Sequence, residues 1–572
     1  MTESGPPTEL LAALVRLRAA LAEVRFSLQV PGVDDARTTR KQLVSQLEDY
    51  LLPRLVQIDA PLLAVVGGST GAGKSTLVNS LIGARVSESG VLRPTTRSPV
   101  LVHNPADAGW FQPDRILPDL VRTTSATNDT SSLHLIATSV VPAGLALLDA
   151  PDVDSVESAN RQLAGQLLAA ADLWLFVTSA ARYADQVPWT FLKKAAERST
   201  AVALVLDRTA PEVIPDVRAH LARMATARGL RDSPLFAVPE SPVDEQGLLP
   251  ADDVAQIRNW LGDLANNARA RQAVIRQSLD GAIRQTAFRT HGLADAEMEQ
   301  VAAATRLRHD AEVGYAAAVS AVERGTGDGT LLRGEVLARW QELVDGEEFG
   351  APLQEGEGRL RDRLKSAVRG RPQGPERVAT AVEHGLLRLL TDHAESAAGR
   401  THTSWTSTEA GRALLDGHSI ELRHASHDFR DEAQRAIREW RAGVLLLVRD
   451  QGIDKKTTAR FLAYGVNGLG AALMTVVLVH TSGLAGGEAG VAGGTVLISQ
   501  KTLEAVFGDR AAHDLADRAK HDLNARTVRL LNTERARFLQ LLAPAAPGDG
   551  TADRLRDAAR EIDDIRHRSE AS

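Results

Sequence analysis

The sequence predicts an α/β domain followed by a long all-α region, on three observations. Over residues 60–268 short β-rich runs alternate with helical ones. From about 269 to 570 the chain reads as helix with few β signals. The first β-rich run, "PLLAVV", leads into a glycine-rich turn. Strands alternating with helices imply a mostly parallel sheet with helices on both faces.

Taken in order, residues 8–30, "TELLAALVRLRAALAEVRFSLQV", repeat apolar positions at helical spacing, and a second helix over 35–57 follows the break "PGVDD". Residues 1–59 are therefore read as helices packing on the later helical region. The expected strands are "PLLAVVGG", "SLHLIAT", "AGLALLDAP", "DLWLFVTS", "TAVALVLD" and "SPLFAVPES". Beyond them, "VLARWQELVDG", "RVATAVEHGLLRLLTDHAESA", "DEAQRAIREWRAGVLLLVRD" and "ARTVRLLNTERARFLQLLA" carry apolar stripes, and "ERGTGDGT", "GRPQGPE" and "APAAPGDG" break the helices. No fixed-period repeat is evident, and the charged helical faces read as solvated bundle or coiled-coil surfaces. The expected division is 60–268 for the α/β domain, 269–454 for a helical stalk, 455–508 for an apolar hairpin, and 509–572 for closing stalk helices.

Composition narrows the class. A chain of 572 residues with net charge −7 does not resemble a general nucleic-acid binder. It has no cysteine, which excludes disulfides, zinc thiolate sites and cysteine nucleophiles and fits a reducing compartment. Aromatic residues are only 4%, so the cores must rest on Leu, Val and Ala. The start "MTESGPPTELLAAL" has no basic region ahead of an apolar core, so no secretory signal is expected there.

The chemistry centres on Gly68-Ser69-Thr70-Gly71-Ala72-Gly73-Lys74-Ser75, which fits G-x-x-x-x-G-K-[ST] in full, with Thr76 following. A strand ending at Val66 and a helix starting near Lys74 supply the context that motif needs. Gly71 and Gly73 let backbone N–H groups converge on phosphates, and the helix N-terminus adds partial positive charge. Lys74 is assigned to the β- and γ-phosphates, and the Ser75 hydroxyl to Mg²⁺. In the polar stretch "SESGVLRPTTRSPV", Thr95 or Thr96 can close over the γ-phosphate, with Thr96 preferred as metal ligand and water-positioning residue. Lys74, Thr96 and Thr70 are the candidate catalytic residues. Asp149, at the end of "LALLD", is placed to hold Mg²⁺ through water.

The order of these parts, P-loop, "RPTT", strand with D-x-P, then "ADLWLFVTSAARYAD", resembles the G domain of dynamin-like GTPases. The resemblance covers about 60–268 at motif level and is architectural elsewhere. It implies GTP as substrate, Mg²⁺ as cofactor, assembly of like chains through G domains and stalk, and membrane remodelling. Two departures stand against it. Where D-x-x-G is usual, this chain has Asp149-Ala150-Pro151-Asp152; the N–H survives at Asp152, but its carboxylate is unfavourable near a γ-phosphate unless it points away. The guanine-reading N/T-K-x-D is replaced by Asp207-Arg208-Thr209-Ala210. Arg208 can stack on a base and Ala210 cannot read one, while Asp207 can substitute only if the loop shifts. The last base-contacting loop is expected at Val238–Pro242, with Ser241 contributing a backbone contact. GTP is favoured by the resemblance; ATP stays open.

Phe461 to Val479, "FLAYGVNGLGAALMTVVLV", is 19 residues without a charge. As a helix it would span about 28 Å, close to the hydrocarbon thickness of a bilayer. Val491 to Ser499 is a second apolar run, too short to span alone. Lys455, Lys456 and Arg460 precede the pair and Lys501 follows, so both ends are expected on the cytosolic side. Membrane lipid is thus an expected partner through 461–499, at the cytoplasmic face of the cell membrane. A buried hairpin in the stalk core is the competing reading, and Asn467 favours it. Tyr183 and Trp189 suit either contact with a second G domain or simple packing. The histidines are scattered without metal spacing, and nucleic acid is not an expected partner. The resulting function is a membrane-remodelling GTPase. The alternatives are a nucleotide-gated membrane scaffold and a soluble P-loop ATPase with little turnover.

Overall fold

The computed structural model describes residues 8–87, 98–113, 115–125, 129, 131–155, 158–197, 200–329, 331, 334–345, 374–451, 458–478 and 491–570. The chain divides into two compact units, one of residues 1–26, 32–299 and 547–572, the other of 27–31 and 300–546.

The first unit is built on an eight-stranded sheet of order β3-β4-β2-β5-β1-β6-β7-β8. Its strands are β1 Leu62–Gly68, β2 Val100–His103, β3 Val121–Thr123, β4 Ser132–Ala137, β5 Leu145–Asp149, β6 Leu173–Ser179, β7 Ala201–Thr209 and β8 Leu235–Pro239. Among the described residues only the β2–β5 pairing is antiparallel. The six expected strands are present; β2 and β3 are additional, short elements whose four and three residues are too few to show a period.

The central position of β1 fixes the chemistry. Its seven residues are all buried, as a strand covered on both faces requires. Val66 pairs with Asp149 of β5, and Gly68 with Val177 of β6. On one face Leu62, Ala64 and Val66 share a core with Leu77, Val78 and Leu81 of α4 (Lys74–Ile82) and Val254, Ile257 and Leu261 of α8 (Ala251–Asn266). On the other, Leu168 of α5 (Ser158–Ala169) packs so close to Gly67 that a Cβ there would lie 3.0 Å from it. Because β5, β1, β6, β7 and β8 run parallel, the loops leaving their C-terminal ends gather along one sheet edge.

The N-terminal helices, the start of the expected stalk (to 299) and its closing segment (547–572) all fall in the unit that holds the sheet. The N-terminal helices are α1 (Thr8–Glu23), α2 (Val33–Gln46), a π-helical turn Leu47–Leu51 and α3 (Leu52–Val56). Asp172, at the entry to β6, holds the last of them. It accepts hydrogen bonds from Arg54 Nε at 3.0 Å, Tyr50 Oη at 3.2 Å and the Leu63 N–H at 2.8 Å. Burying this carboxylate is tolerable only because so many donors surround it. The closing helix Thr551–Glu570 also lies in this unit, packed along α1, with Arg554 on Glu23 at 2.9 Å and an Arg16–Glu561 ion pair.

The second unit is helical. Its core includes Tyr315, Trp340, Trp405, Trp440 and Phe538, all buried. Trp405 donates its indole N–H to Leu307 O at 2.9 Å, and Trp440 to Ala519 O at 2.8 Å, so both rings bury without a lost hydrogen bond.

Of the two readings of the apolar hairpin, the described residues bear on the first helix. Thr458–Val477 is helical but breaks at Gly465, where φ is 65° and ψ 165°. Leu469, Leu473, Met474, Val477 and Leu478 are at most 1% exposed and belong to the bundle core. Gly470 faces the helix Phe429–Gln451 so tightly that a Cβ would meet Leu445 Cδ2 at 2.5 Å. Its partner helix Val491–Phe507 lies against it, with Phe461 and Phe507 rings 6.3 Å apart. Among the described residues no helix is long and apolar enough to cross a membrane. Leu469 to Leu478 are therefore packed into the bundle core, as in the competing reading of a buried hairpin, while Leu497 on the partner helix is exposed. Val479, His480 and the tip to 490 lie outside the described residues, as do Lys455 and Lys456.

Candidate functional site: a phosphate-binding turn

Residues Gly68 to Thr76 run from the last residue of β1 through the turn 69–73 into the first turn of α4. Two glycines are required by what they touch. A Cβ on Gly68 would lie 2.0 Å from Val177 O of the neighbouring strand. Gly73 has φ 98°, in the left-handed region, and a Cβ there would lie 2.1 Å from Asp207 Oδ2. Ala72 N–H closes the turn onto Ser69 O at 3.2 Å, and Leu77 N–H bonds Gly73 O at 2.8 Å to begin α4. Thr76 lies in the first turn of α4, and its carbonyl accepts from Ser80 Oγ at 2.7 Å.

Lys74 is only 6% exposed. Its ammonium donates to Ser69 O at 3.0 Å and makes a direct ion pair with Asp152. Asp152 therefore does not point away from the turn; it points at Lys74. Asp149 is fully buried at the end of β5, and one oxygen accepts from Ser75 Oγ at 2.7 Å and Ser87 Oγ at 2.5 Å. Burial pushes the Asp149 carboxyl above its ordinary range, opposed by those two hydroxyls. Its other oxygen, Oδ1, is buried and has no hydrogen-bond partner among the described residues. A buried carboxylate oxygen without a donor, beside a serine hydroxyl and a lysine, suits a hard divalent cation. Ser75 and Asp149 thus fit Mg²⁺ on their own chemistry.

Asp154 and Arg182 were not anticipated from the sequence. Asp154 Oδ1 accepts from both the Thr70 N–H and the Thr70 hydroxyl at 2.6 Å, and Oδ2 accepts from Arg182 Nη1 at 2.9 Å. The signal was the further Asp of "DAPDVD", two residues beyond Asp152, with its side chain turned back onto the same turn. Arg182 stands in "SAARYAD" after β6, the strand beside β1.

The loops after β7 and β8 carry the residues expected to face a base. Asp207 is 1% exposed, wedged against Gly73 and capped by the Arg208 N–H at 2.7 Å. Desolvation raises its carboxyl to about 7, partly offset by that N–H and the Arg208 charge. Turned into the phosphate turn, it does not stand free to take the place of the missing guanine reader. Arg208, at φ 50°, reaches Gly71 O through Nη1 at 3.1 Å and is exposed. Thr209 pairs with Pro239, and Glu240 N–H bonds Thr209 O at 3.0 Å, which brings the Ser241 loop beside Arg208. Thr95 and Thr96 lie outside the described residues. Tyr183 and Trp189 pack within their own unit: the Tyr183 hydroxyl meets His220 Nδ1 at 2.8 Å, and Trp189 donates to Tyr183 O at 2.7 Å.

A buried lysine on a glycine turn between strand and helix, with a carboxylate at the end of the adjacent parallel strand, is the arrangement of a P-loop fold. With its mostly parallel sheet and the helical region, the fold is a P-loop G domain with a helical bundle. No protein-family model matches the chain, and no curated protein matches it. Its neighbours among solved structures are bacterial dynamins. Two belong to an oligomerised bacterial dynamin pair described as sensing and tethering membranes at long range. One has 10% identity and TM-score 0.40 over 98% of this chain and 96% of the other. The second has 9% identity and TM-score 0.35 over 96% and 95%. LeoA, a bacterial dynamin GTPase from ETEC, has 12% identity and TM-score 0.23 over 94% and 98%. At these scores the likeness adds no argument to the fold, which rests on this chain's own strand order and turn.

Proposed function

We propose that this protein is a dynamin-like GTPase that binds GTP with Mg²⁺, hydrolyses it, and couples the cycle to a membrane. The observation that carries the nucleotide part is the turn after β1: a buried Lys74 and a Ser75–Asp149 pair whose second carboxylate oxygen has no donor among the described residues. In this reading Lys74 neutralises the β- and γ-phosphates, and Gly68 to Thr76 wrap the phosphate chain with backbone N–H groups. Ser75 and Asp149 hold Mg²⁺, with Thr96 as the further ligand and Thr70 and Thr96 beside the transferring group. The metal, when bound, neutralises charge on the phosphate oxygens. Arg208, with Ser241, flanks the base; since Ala210 offers guanine no acceptor, discrimination between GTP and ATP is expected to be weak. Assembly of like chains and the membrane role follow from the resemblance to dynamin-like GTPases alone.

Multiple-turnover hydrolysis of GTP and of ATP, with and without liposomes, tests this reading. Lys74-dependent turnover of GTP supports it; binding of neither nucleotide overturns it. A nucleotide-gated scaffold, or a soluble P-loop ATPase with little turnover, is the second reading. Asp152 seated on Lys74 and the burial of Leu469 to Leu478 favour it. Tight Mg-nucleotide binding without lipid-stimulated turnover would select it, with flotation on liposomes separating the membrane scaffold, which floats, from the soluble ATPase, which does not.

A further inference from the structure

A P-loop exists to offer donors to an anion, and donors left without one are costly when buried. In this chain two of those donors are already taken by its own carboxylates. The Asp152 carboxylate sits on the Lys74 ammonium. Asp154 Oδ1 receives both the N–H and the hydroxyl of Thr70, each at 2.6 Å, and Arg182 steadies its other oxygen at 2.9 Å. Both acids belong to the short stretch that follows Asp149. That stretch is laid along β1 by Ala150 N–H on Val66 O at 3.1 Å and Val153 N–H on Gly68 O at 3.3 Å.

Carboxylate and phosphate satisfy an ammonium and a backbone N–H through the same charge-assisted hydrogen bonds. Both cannot occupy Lys74 and the Thr70 N–H at once, and two like charges that close repel. We propose that Asp152 and Asp154 are built-in competitors of the nucleotide's phosphates. They hold the turn when no nucleotide is present and must leave when a polyphosphate arrives. Nucleotide occupancy is thereby converted into displacement of the segment 151–155. Along the chain the segment is followed, two residues on, by α5, whose Gln166 donates to Asp49 of the π-helical turn at 2.8 Å. Displacement therefore has a physical route to the N-terminal helices of the same unit. This inference rests on the P-loop reading above and adds to it a reason for the unusual D-A-P-D-V-D.

Asp152→Asn and Asp154→Asn keep the side-chain shape and remove the competing charge. The test is equilibrium binding of fluorescent GTP and ATP, and of inorganic triphosphate, to the full chain, with Mg²⁺ and again with the metal chelated. Each variant is expected to bind the polyphosphates about tenfold more tightly than the parent, in both conditions, the scale of one charge-assisted hydrogen bond. A gain in affinity is not an outcome that mere damage to the fold produces. Unchanged or weaker binding by Asp152→Asn overturns the proposal; should Asp154→Asn not fold, Asp152→Asn alone decides it. Lys74→Ala separates the two levels. If the parent binds in a Lys74-dependent way and neither Asn variant binds more tightly, the competitor idea fails while the P-loop reading stands. If the parent and Lys74→Ala bind equally or not at all, both fail.

Discussion

Two buried, glycine-bearing apolar stretches, "LLAVVGGSTGAGK" in the sheet unit and "YGVNGLGAALMTVVL" in the helical unit, look alike in composition and act differently. In the first, glycines answer to the backbone. Gly68 must pass Val177 O, and Gly73 must adopt φ 98° beside Asp207. In the second, α-helical hydrogen bonding satisfies most of the backbone, and Gly470 answers to one side chain, Leu445 of a neighbouring helix. A glycine that serves the backbone makes a site; a glycine that serves a neighbour's side chain makes a core. Nineteen uncharged residues satisfy the length rule for a bilayer, yet the rule does not know whether other helices will cover them.

The contrast can be broken at either stretch. The largest effect is expected from Lys74→Ala. Nucleotide affinity should fall on the order of 100-fold or more, because a desolvated charge partner of the phosphates is lost, while circular dichroism and the unfolding midpoint stay near the parent's. Met474→Lys comes next. As a core residue, it should cost about 4 kcal/mol in lipid-free urea unfolding, the scale of an unpaired buried charge. Unchanged lipid-free stability with lost liposome flotation would instead return the segment to the membrane.

Gly68→Ala should cost about 3 kcal/mol, since the strand-to-strand contact with Val177 O is backbone and cannot yield. A pH series is gentler. Asp207 is raised to about 7 and Asp49 to about 6, both chiefly by burial. Folding thus favours their protonated forms, so the stability they contribute is complete below about pH 4 and is lost as pH rises to 6 and 7. The unfolding free energy should fall across that window by at most about 1.4 kcal/mol per pH unit for each group. Asp207→Asn should flatten its upper part; an unaltered slope would contradict the burial argument. Smallest is Gly470→Ala, about 1 kcal/mol, because the obstacle is the movable end of Leu445. A penalty equal to that of Gly68→Ala would erase the distinction between the two glycines.

The sequence by itself determined what is local. The alternation of β-rich and helical runs fixed the sheet's existence. The spacing of Gly68, Gly73, Lys74 and Ser75 fixed the phosphate turn, and the strand end fixed Asp149, because backbone geometry and a covalently contiguous turn leave few alternatives. Only the tertiary structure decided what depends on a distant partner. Arg54 and Tyr50 tie the segment before β1 to Asp172, at the entry to β6. Leu445 and the bundle core claim the apolar helix. Asp152 turns onto Lys74 and Asp154 onto Thr70 instead of outward to water. In each case the choice is between burying a group against protein and leaving it to solvent or lipid, and the free energy of that choice belongs to both partners, one of which lies a hundred residues or fewer away in some cases and nowhere in the local pattern in all of them.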